Sequence, residues 1–127
     1  METYSEKTGL LPDFEVSYRF LSREEGGRET RPYQHTRWDF LYEGDDPQVE
    51  GVNMIWPEVI DEEGHVLPEG EIPIEGRALM FVVMAERRPF HFAKVKEGAK
   101  GYFVEGARKV AVCTVTKVIG LHANPRS

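Results

Sequence analysis

The sequence of 127 residues has few of the features that mark secreted or membrane-spanning proteins. Its one cysteine, Cys113, has no partner for an internal disulfide, which is compatible with a reducing cytoplasm. No apolar run approaches the roughly 18–20 residues that a transmembrane helix needs. No apolar segment follows residues 1–7, so we expect no signal peptide and a cytoplasmic location.

Basic residues are in the minority, because 16 Lys and Arg against 22 Asp and Glu give a net charge of −6. This excludes a generally polybasic nucleic-acid binder but leaves room for a local basic patch, and we expect neither DNA nor a membrane as partner. Residues 43–75 contain no Lys or Arg, and residues 76–127 carry a net +7. The acidic stretch is either a set of solvated loops or a surface for a basic protein. A fold could place the acidic and the basic segment on different faces or pair their charges with each other.

Sequence motifs for nucleotide chemistry and hydrolysis are also missing. There is no Gly-rich phosphate loop with Lys-Ser/Thr and no Gly-x-Ser-x-Gly elbow. Four histidines occur without metal-ligand spacing: His35, His65, His91 and His122. Cys113 lies in an apolar run, which favours a buried, inert thiol. We therefore predict no catalytic residue, no cofactor and no metal site.

Short apolar runs separated by Gly and Pro dominate the pattern and are typical of strands and turns. Alternation predicts strands at residues 14–20 and 38–42, with Trp38, Phe40 and Tyr42 on one core face. Further strands are predicted at residues 52–56 (ended by Pro57), 78–85, 90–95 and 110–119. Six or seven strands indicate an all-β sandwich or small barrel. We expect a flexible segment at 1–12, one domain at 13–121 and a tail at 122–127.

Two segments go beyond these general patterns. Residues 21–30 read LSREEGGRET, and residues 105–120 read EGARKVAVCTVTKVIG. They resemble the L-S-K-x-E-G-G-R-x-T and R-E-G-G-R-T-V-G-x-G-x-V-x-x-V-x-G segments of the third, C-terminal β-barrel domain of elongation factor Tu. The matching residues are Leu21, Ser22, Glu25, Gly26, Gly27, Arg28 and Thr30, then Glu105, Gly106, Arg108, Val110, Val115, Val118 and Gly120.

The resemblance implies a closed, antiparallel, six-stranded barrel. It implies no GTPase activity, because the nucleotide site of that family belongs to a separate domain that this sequence lacks. In the family, the third domain packs on a second barrel and helps to grip the T stem of aminoacyl-tRNA.

Carried over residue by residue, the RNA-facing edge of the family corresponds to Arg37, Asp39, Glu105, Gly106 and Arg108. Asp39 stands where the family has an RNA-contacting Gln. Val104 and Glu43 each replace an Arg. Each replacement removes a phosphate contact or adds repulsion. The resemblance therefore implies a barrel whose RNA-binding edge has been altered.

Two other features are candidates for a partner surface. Trp56 precedes Pro57, where it could lie at the rim of the barrel or act as a lid. Arg87 and Arg88 form a compact basic spot beside an aromatic residue, with a solvated turn as the alternative interpretation.

Three functions follow as hypotheses. The first is a non-catalytic binding module that acts by contact with a protein partner, with a connection to translation as part of the hypothesis. The second is residual binding of tRNA or the ribosome, with an affinity that falls steeply with salt. The third is a small enzyme or small-molecule binder that uses histidines and carboxylates at the barrel mouth.

Overall fold

The computed structural model describes residues 2–126, and over that range the chain forms a closed barrel of six antiparallel strands. The strands are β1 (Phe14–Phe20), β2 (Trp38–Tyr42), β3 (Asn53–Ile60), β4 (Glu75–Val82), β5 (Lys100–Glu105) and β6 (Arg108–Val118). Around the barrel they follow the order β1-β4-β3-β2-β5-β6, and β6 pairs with β1. The prediction of an all-β fold with a closed six-stranded antiparallel barrel is confirmed.

Helical structure is sparse in the described residues: helix α1 (Tyr4–Thr8), a 3-10 turn (Ala85–Arg87) and helix α2 (Arg88–Phe92). None of the helices in this range is long and apolar enough to cross a membrane.

The barrel interior is filled by the alternating side chains of its strands. From β1 they are Phe14, Val16, Tyr18 and Phe20, all at most 4% exposed, and from β2 they are Trp38, Phe40 and Tyr42. The ring of Phe40 packs edge-on against Phe14 and Phe103, with centroids 6.2 and 6.1 Å away. Each buried aromatic or aliphatic side chain contributes about 1.5–3 kcal/mol of burial free energy. The predicted core face of β2 is confirmed.

Residues 90–95 do not form the predicted strand but lie in and just after α2. Pro89 occupies the first turn of this helix, where its missing N–H costs no hydrogen bond. Arg88 and His91 are buried and three positions apart, which places them on one face of α2. Val95 is buried just after the helix, where its N–H donates to the carbonyl of His91. Phe90 and Phe92 alternate like strand residues, but both lie within this single helical turn.

Pro57 does not end β3, which continues to Ile60. Backbone N–H groups two residues apart in a strand point the same way. The N–H of Val59 donates to the side chain of Gln34 rather than to a strand. The nitrogen of Pro57 lies on that same side of β3. The partner strand there, β2, pairs with β3 only as far as Ile55, so the missing N–H of Pro57 costs no ladder bond.

Strand β5 was not among the strands predicted from alternation. A Cβ on Gly101 would lie 2.4 Å from the ring of Phe40, so only glycine lets the strand pass over this side chain. The glycine thus serves core packing and not a turn.

Antiparallel connections divide the loops between the two ends of the barrel. The loops at 21–37 and 61–74 and the β5–β6 turn lie at one end, called here the rim. The segments 43–52, 83–99 and 119–126 lie at the other end, called here the base.

A buried carboxylate joins the segments of the base. Asp13 is fully buried and accepts hydrogen bonds from the Val82 N–H (2.7 Å), the Arg88 Nε (2.8 Å) and the Asn124 Nδ2 (2.9 Å). Arg88 also donates to the carbonyl of Pro125. Residues of the predicted tail 122–127 up to Arg126 are therefore tied to the barrel through Asn124 and Pro125.

Residues 1–12, predicted as a flexible segment, contain α1. A capping box at Thr3 begins this helix, and Gly9 in the left-handed conformation ends it. The ring of Tyr4 packs against the outer barrel wall, with its centroid 4.6 Å from that of Phe81 and 5.6 Å from that of Trp56. The short helix thus covers an apolar strip on β3 and β4.

Candidate binding edge at the barrel rim

Four of the five edge residues implied by the family resemblance lie together at the rim. Arg37, Asp39, Glu105 and Gly106 line a shallow cleft of about 370 Å³. The pairing of β2 with β5 brings these residues together, because Asp39 of β2 is opposite Val104 of β5, which precedes Glu105. The two sequence regions are far apart in the chain and meet only when the barrel closes. We call this group of four residues the rim cleft.

The fifth residue, Arg108, lies just across the β5–β6 turn. It pairs with Glu105 as the first residue of β6, and its side chain is exposed. Gly106 makes the tight turn with φ of 62°, a left-handed conformation that glycine adopts without strain. The rim cleft therefore has a cation beside it on the turn.

The carboxylate of Glu105 is held by two donors. Its Oε2 accepts hydrogen bonds from Nη1 of Arg28 at 2.7 Å and from Nε1 of Trp38 at 2.9 Å. The Arg28 guanidinium also lies 5.9 Å from the centre of the Trp38 ring. The glutamate thus provides a hydrogen-bond acceptor for the indole N–H of a core tryptophan, which gives Glu105 a structural role.

The first matched block forms the loop that brings Arg28 to this place. The Ser22 N–H donates to the Glu25 carboxylate, which also binds Arg19 at 3.0 Å. Hydrogen bonding to Arg19 and Ser22 lowers the pKa of Glu25 to about 2. A Cβ on Gly27 would lie 2.2 Å from the Leu21 carbonyl oxygen, so this crossing of the chain requires glycine.

The other two charges of the rim cleft have no such partners. Unlike Glu105, neither Arg37 nor Asp39 makes a side-chain hydrogen bond or ion pair within residues 2–126. Arg37 is exposed and Asp39 is half-buried. The cleft therefore presents one unpaired cation and one unpaired carboxylate close together, which suits a partner with charges of both signs.

The second group of candidates, Trp56, Arg87 and Arg88, does not form one surface. Arg88 is 1% exposed and paired with Asp13, so it does not lie on the surface. Arg87 is half-buried at the base. Trp56 is half-buried on the barrel wall, where the ring of His35 stacks on it at 5.6 Å. The adjacent arginines separate because Arg88 lies on the buried face of α2.

A cavity of about 310 Å³ beside α1 brings a histidine and carboxylates together. Nε2 of His35 lies 3.3 Å from Oε2 of the buried Glu58, and its Nδ1 lies 3.5 Å from Oε1 of Glu69. His35 has a positive φ of 65°, which is unusual for a residue other than glycine. Both ring nitrogens lie near carboxylates, but the buried Nε2 makes no hydrogen bond within residues 2–126. The cavity gathers a histidine and carboxylates of the kind that the third hypothesis requires, and that hypothesis stays a prediction.

The acidic stretch is partly paired and partly solvated. Asp45 binds Lys94 at 2.5 Å, and Glu71 binds Arg31 at 3.3 Å. Glu62 and Glu63 are exposed at the loop tip. Within residues 2–126, no group of three or more His, Cys, Asp or Glu side chains is arranged to hold a metal ion. Some acidic residues of this stretch are therefore paired within the fold and others are solvated, and a basic protein partner stays a prediction.

Sequence reasoning did not single out Arg28, Trp38 or Glu58 as functional groups. Arg28 lies in a matched block, but its partner is 77 residues away, and no local pattern indicates that contact. Trp38 has the alternation of a core residue, and only the barrel shows that its indole N–H reaches the rim.

Cys113 is 3% exposed, as the apolar run predicted. Burial raises the pKa of its thiol, which keeps the group protonated and poorly nucleophilic. The interpretation as an inert core residue is consistent with this geometry.

Comparison with protein-family models and with curated protein sequences finds no match to either.

Proposed function

We propose that this chain is a non-catalytic binding module that contacts a protein partner through the rim cleft and the adjoining β5–β6 turn. The observation that carries the proposal is the pair of unpartnered opposite charges, Arg37 and Asp39, in one cleft. Charged groups left without partners at a surface are available to set the orientation and specificity of an association.

The charges of the cleft favour a protein over a phosphate backbone. Protein surfaces that bind nucleic acid use Lys and Arg to neutralise phosphates, and every carboxylate on such a surface repels the phosphates. Among residues 2–126 no cation forms an ion pair with Asp39, and the Glu105 carboxylate is only partly exposed beside Arg28. A protein segment with charges of both signs can pair with Arg37 and Asp39 together.

A binding role also fits the way the barrel is filled. Phe14, Phe40 and Phe103 are at most 1% exposed and meet in the interior, so the core is occupied by the protein's own side chains. The resemblance to the third domain of elongation factor Tu leads us to propose a partner connected to translation. That link rests on the two matched sequence blocks.

The test compares protein and RNA binding side by side. Purified chain is immobilised and exposed to an extract of its own cells and, separately, to aminoacyl-tRNA, each at low and moderate salt. We expect a specific protein to be retained and tRNA to be ignored at both salt concentrations. Salt-sensitive retention of tRNA would instead favour the translation-factor alternative through Arg37 and Arg108, and retention of neither would contradict the proposal.

A charge-reversed variant makes the comparison sharper. Asp39→Lys should weaken retention of the protein by about tenfold or more, because like charges facing each other across an interface cost several kcal/mol. Lys117→Glu is the matched control, since Lys117 is exposed near the base, away from the rim cleft. Equal retention by both variants would show that the partner binds elsewhere.

A further inference from the structure

A second cavity lies at the base, away from the rim cleft. It has a volume of about 230 Å³ and is walled by Val52, Met54, Val82 and Met84, with Asn53, Arg87 and His91 as its polar residues. Val52 and Met84 are 39% and 42% exposed. A largely apolar wall with a few polar groups is the usual make-up of a small-molecule site.

His91 is the unusual residue of this cavity. It is completely buried, and its Nε2 has no hydrogen-bond partner within residues 2–126. Its Nδ1 lies 2.5 Å from the hydroxyl of Tyr42. A buried polar atom without a partner is destabilising, so its presence calls for an explanation.

The hydrogen bond to Tyr42 determines which nitrogen carries the proton. Burial lowers the pKa of His91 to about 4, assisted by the positive charge of Arg87, so the imidazole is neutral near pH 7. Burial raises the pKa of Tyr42, so its hydroxyl stays protonated. His91 Nδ1 is the one hydrogen-bond partner of this hydroxyl within residues 2–126, so we infer that the hydroxyl donates to Nδ1. A neutral imidazole that accepts at Nδ1 has its proton on Nε2. The unpartnered atom is therefore an N–H donor.

A positive charge lies beside this donor. Nη2 of Arg87 donates to Oδ1 of Asn53 at 3.0 Å and to the carbonyl of Glu50 at 3.4 Å. Its guanidinium stacks 4.2 Å above the centre of the Phe90 ring. All of these contacts are neutral, and no carboxylate within residues 2–126 forms an ion pair with Arg87. The adjacent Arg88, in contrast, is neutralised by Asp13.

We propose that the base cavity binds a small monocarboxylate with a compact apolar body. The carboxylate accepts a hydrogen bond from the Nε2–H group of His91 and pairs with Arg87, and the apolar body lies against Met54, Val82 and Met84. Such a ligand would accept the hydrogen bond of His91, neutralise Arg87 and cover the apolar wall at once. The proposal is independent of the proposed function, because the cavity and the rim cleft are at opposite ends of the barrel.

The test uses phenylacetate and hexanoate as probes, with 2-phenylethanol as the neutral control. Amide and methyl signals of the isotope-labelled full chain are followed by NMR as each probe is added in a buffer without carboxylates. We expect saturable shifts at Val52, Met54, Val82 and His91 with at least one acid, and at least tenfold weaker binding of the alcohol. No saturable shift, equal binding of the alcohol, or shifts confined to other residues would each overturn the proposal.

Two substitutions at the cavity mouth separate charge from packing. Met84 is 42% exposed, so Met84→Glu and Met84→Lys should both fold, and they are closely matched in size and polarity. We expect the Glu variant to bind the acid at least tenfold more weakly and the Lys variant to bind it as well as the original chain or better. Equal affinity of the two variants would show that the cavity does not recognise the carboxylate.

Discussion

Nη1 of Arg28 lies 2.7 Å from Oε2 of Glu105, although the two residues are 77 positions apart in the chain. One belongs to the loop after β1 and the other to the end of β5. Their contact joins the two sequence blocks that carry the family resemblance, at the edge of the rim cleft. The same carboxylate oxygen accepts the indole N–H of Trp38, so the contact also links the rim to the core.

Glu105→Gln should weaken the contact of residue 105 with Arg28 and Trp38 without unfolding the barrel. The pair is partly exposed, with 39% of the Glu105 side chain accessible, so we expect a loss of about 1 kcal/mol or less in the free energy of unfolding. The Trp38 indole N–H should shift in the NMR spectrum and exchange faster with solvent, since it loses a charged acceptor. The indole signal of Trp56 is the internal control, and a change at Trp56 with none at Trp38 would contradict the assignment.

Gly27→Ala should be far more damaging than Gly64→Ala. A Cβ at residue 27 would lie 2.2 Å from the carbonyl oxygen of Leu21, so the loop must move, and we expect a loss of about 3 kcal/mol or more. Gly64 has a φ of +89° but open space around it, so only backbone strain of about 1 kcal/mol applies. Urea unfolding measures both, and similar losses would show that the approach to Leu21 is not rigid.

Arg88→Met should destabilise the base strongly, because it leaves the buried carboxylate of Asp13 without its cation. Removing one partner of a buried ion pair costs about 3–5 kcal/mol. The double variant Arg88→Met with Asp13→Leu should lose less than the sum of the two single variants. Arg19→Met, which breaks an exposed pair, should cause a much smaller change in the unfolding midpoint. Additive losses would contradict direct coupling.

The neutral state of His91 should appear in the pH dependence of stability. Its pKa is lowered to about 4 in the folded chain, whereas an unfolded histidine titrates near about 6.5. Between these values the unfolded chain binds a proton that the folded chain does not. Stability should therefore fall as the pH drops, by about 1.4 kcal/mol per pH unit for this one group. Above about pH 6.5 the group contributes no pH dependence.

Comparison of two histidine variants isolates this contribution. His91→Gln should reduce the pH slope of the urea midpoint between about pH 6.5 and pH 5, whereas His122→Gln, at an exposed site, should leave it unchanged. An unchanged slope in His91→Gln would show that His91 is not held neutral by burial.

Cys113 should not react with a thiol reagent in the native chain. Its side chain is 3% exposed, and burial raises the pKa of the thiol, so little thiolate forms near pH 7. Modification by Ellman's reagent should become complete only in denaturant. Rapid reaction of the native chain would show that β6 opens readily.

Local patterns predicted the strands with clean alternation and failed where distant residues decide the conformation. β1 and β2 were predicted with their bounds, because one face of each is apolar throughout. β5 was missed, because the need for Gly101 arises from the ring of Phe40 on another strand. α2 was predicted as a strand, because its helical period is only one turn long and Phe90 and Phe92 also alternate.

The candidate site shows the same division. The family resemblance singled out Arg37, Asp39, Glu105 and Gly106, and the pairing of β2 with β5 brings them together. No sequence pattern predicted that Glu105 would be held by Arg28. The prediction that Arg88 lies on the surface was wrong. Its buried partner, Asp13, is 75 residues away in the chain, so no local pattern indicates the pair.

Site-specific photo-cross-linking from the β5–β6 turn tests the binding role most directly. A photoreactive residue replaces Ala107, which is exposed between Gly106 and Arg108, and a second chain carries it at Lys117 as the control. Irradiation in living cells should give one discrete protein adduct from position 107 and none of that mass from position 117. Adducts with RNA from position 107, or no adduct specific to that position, would contradict a protein-binding rim.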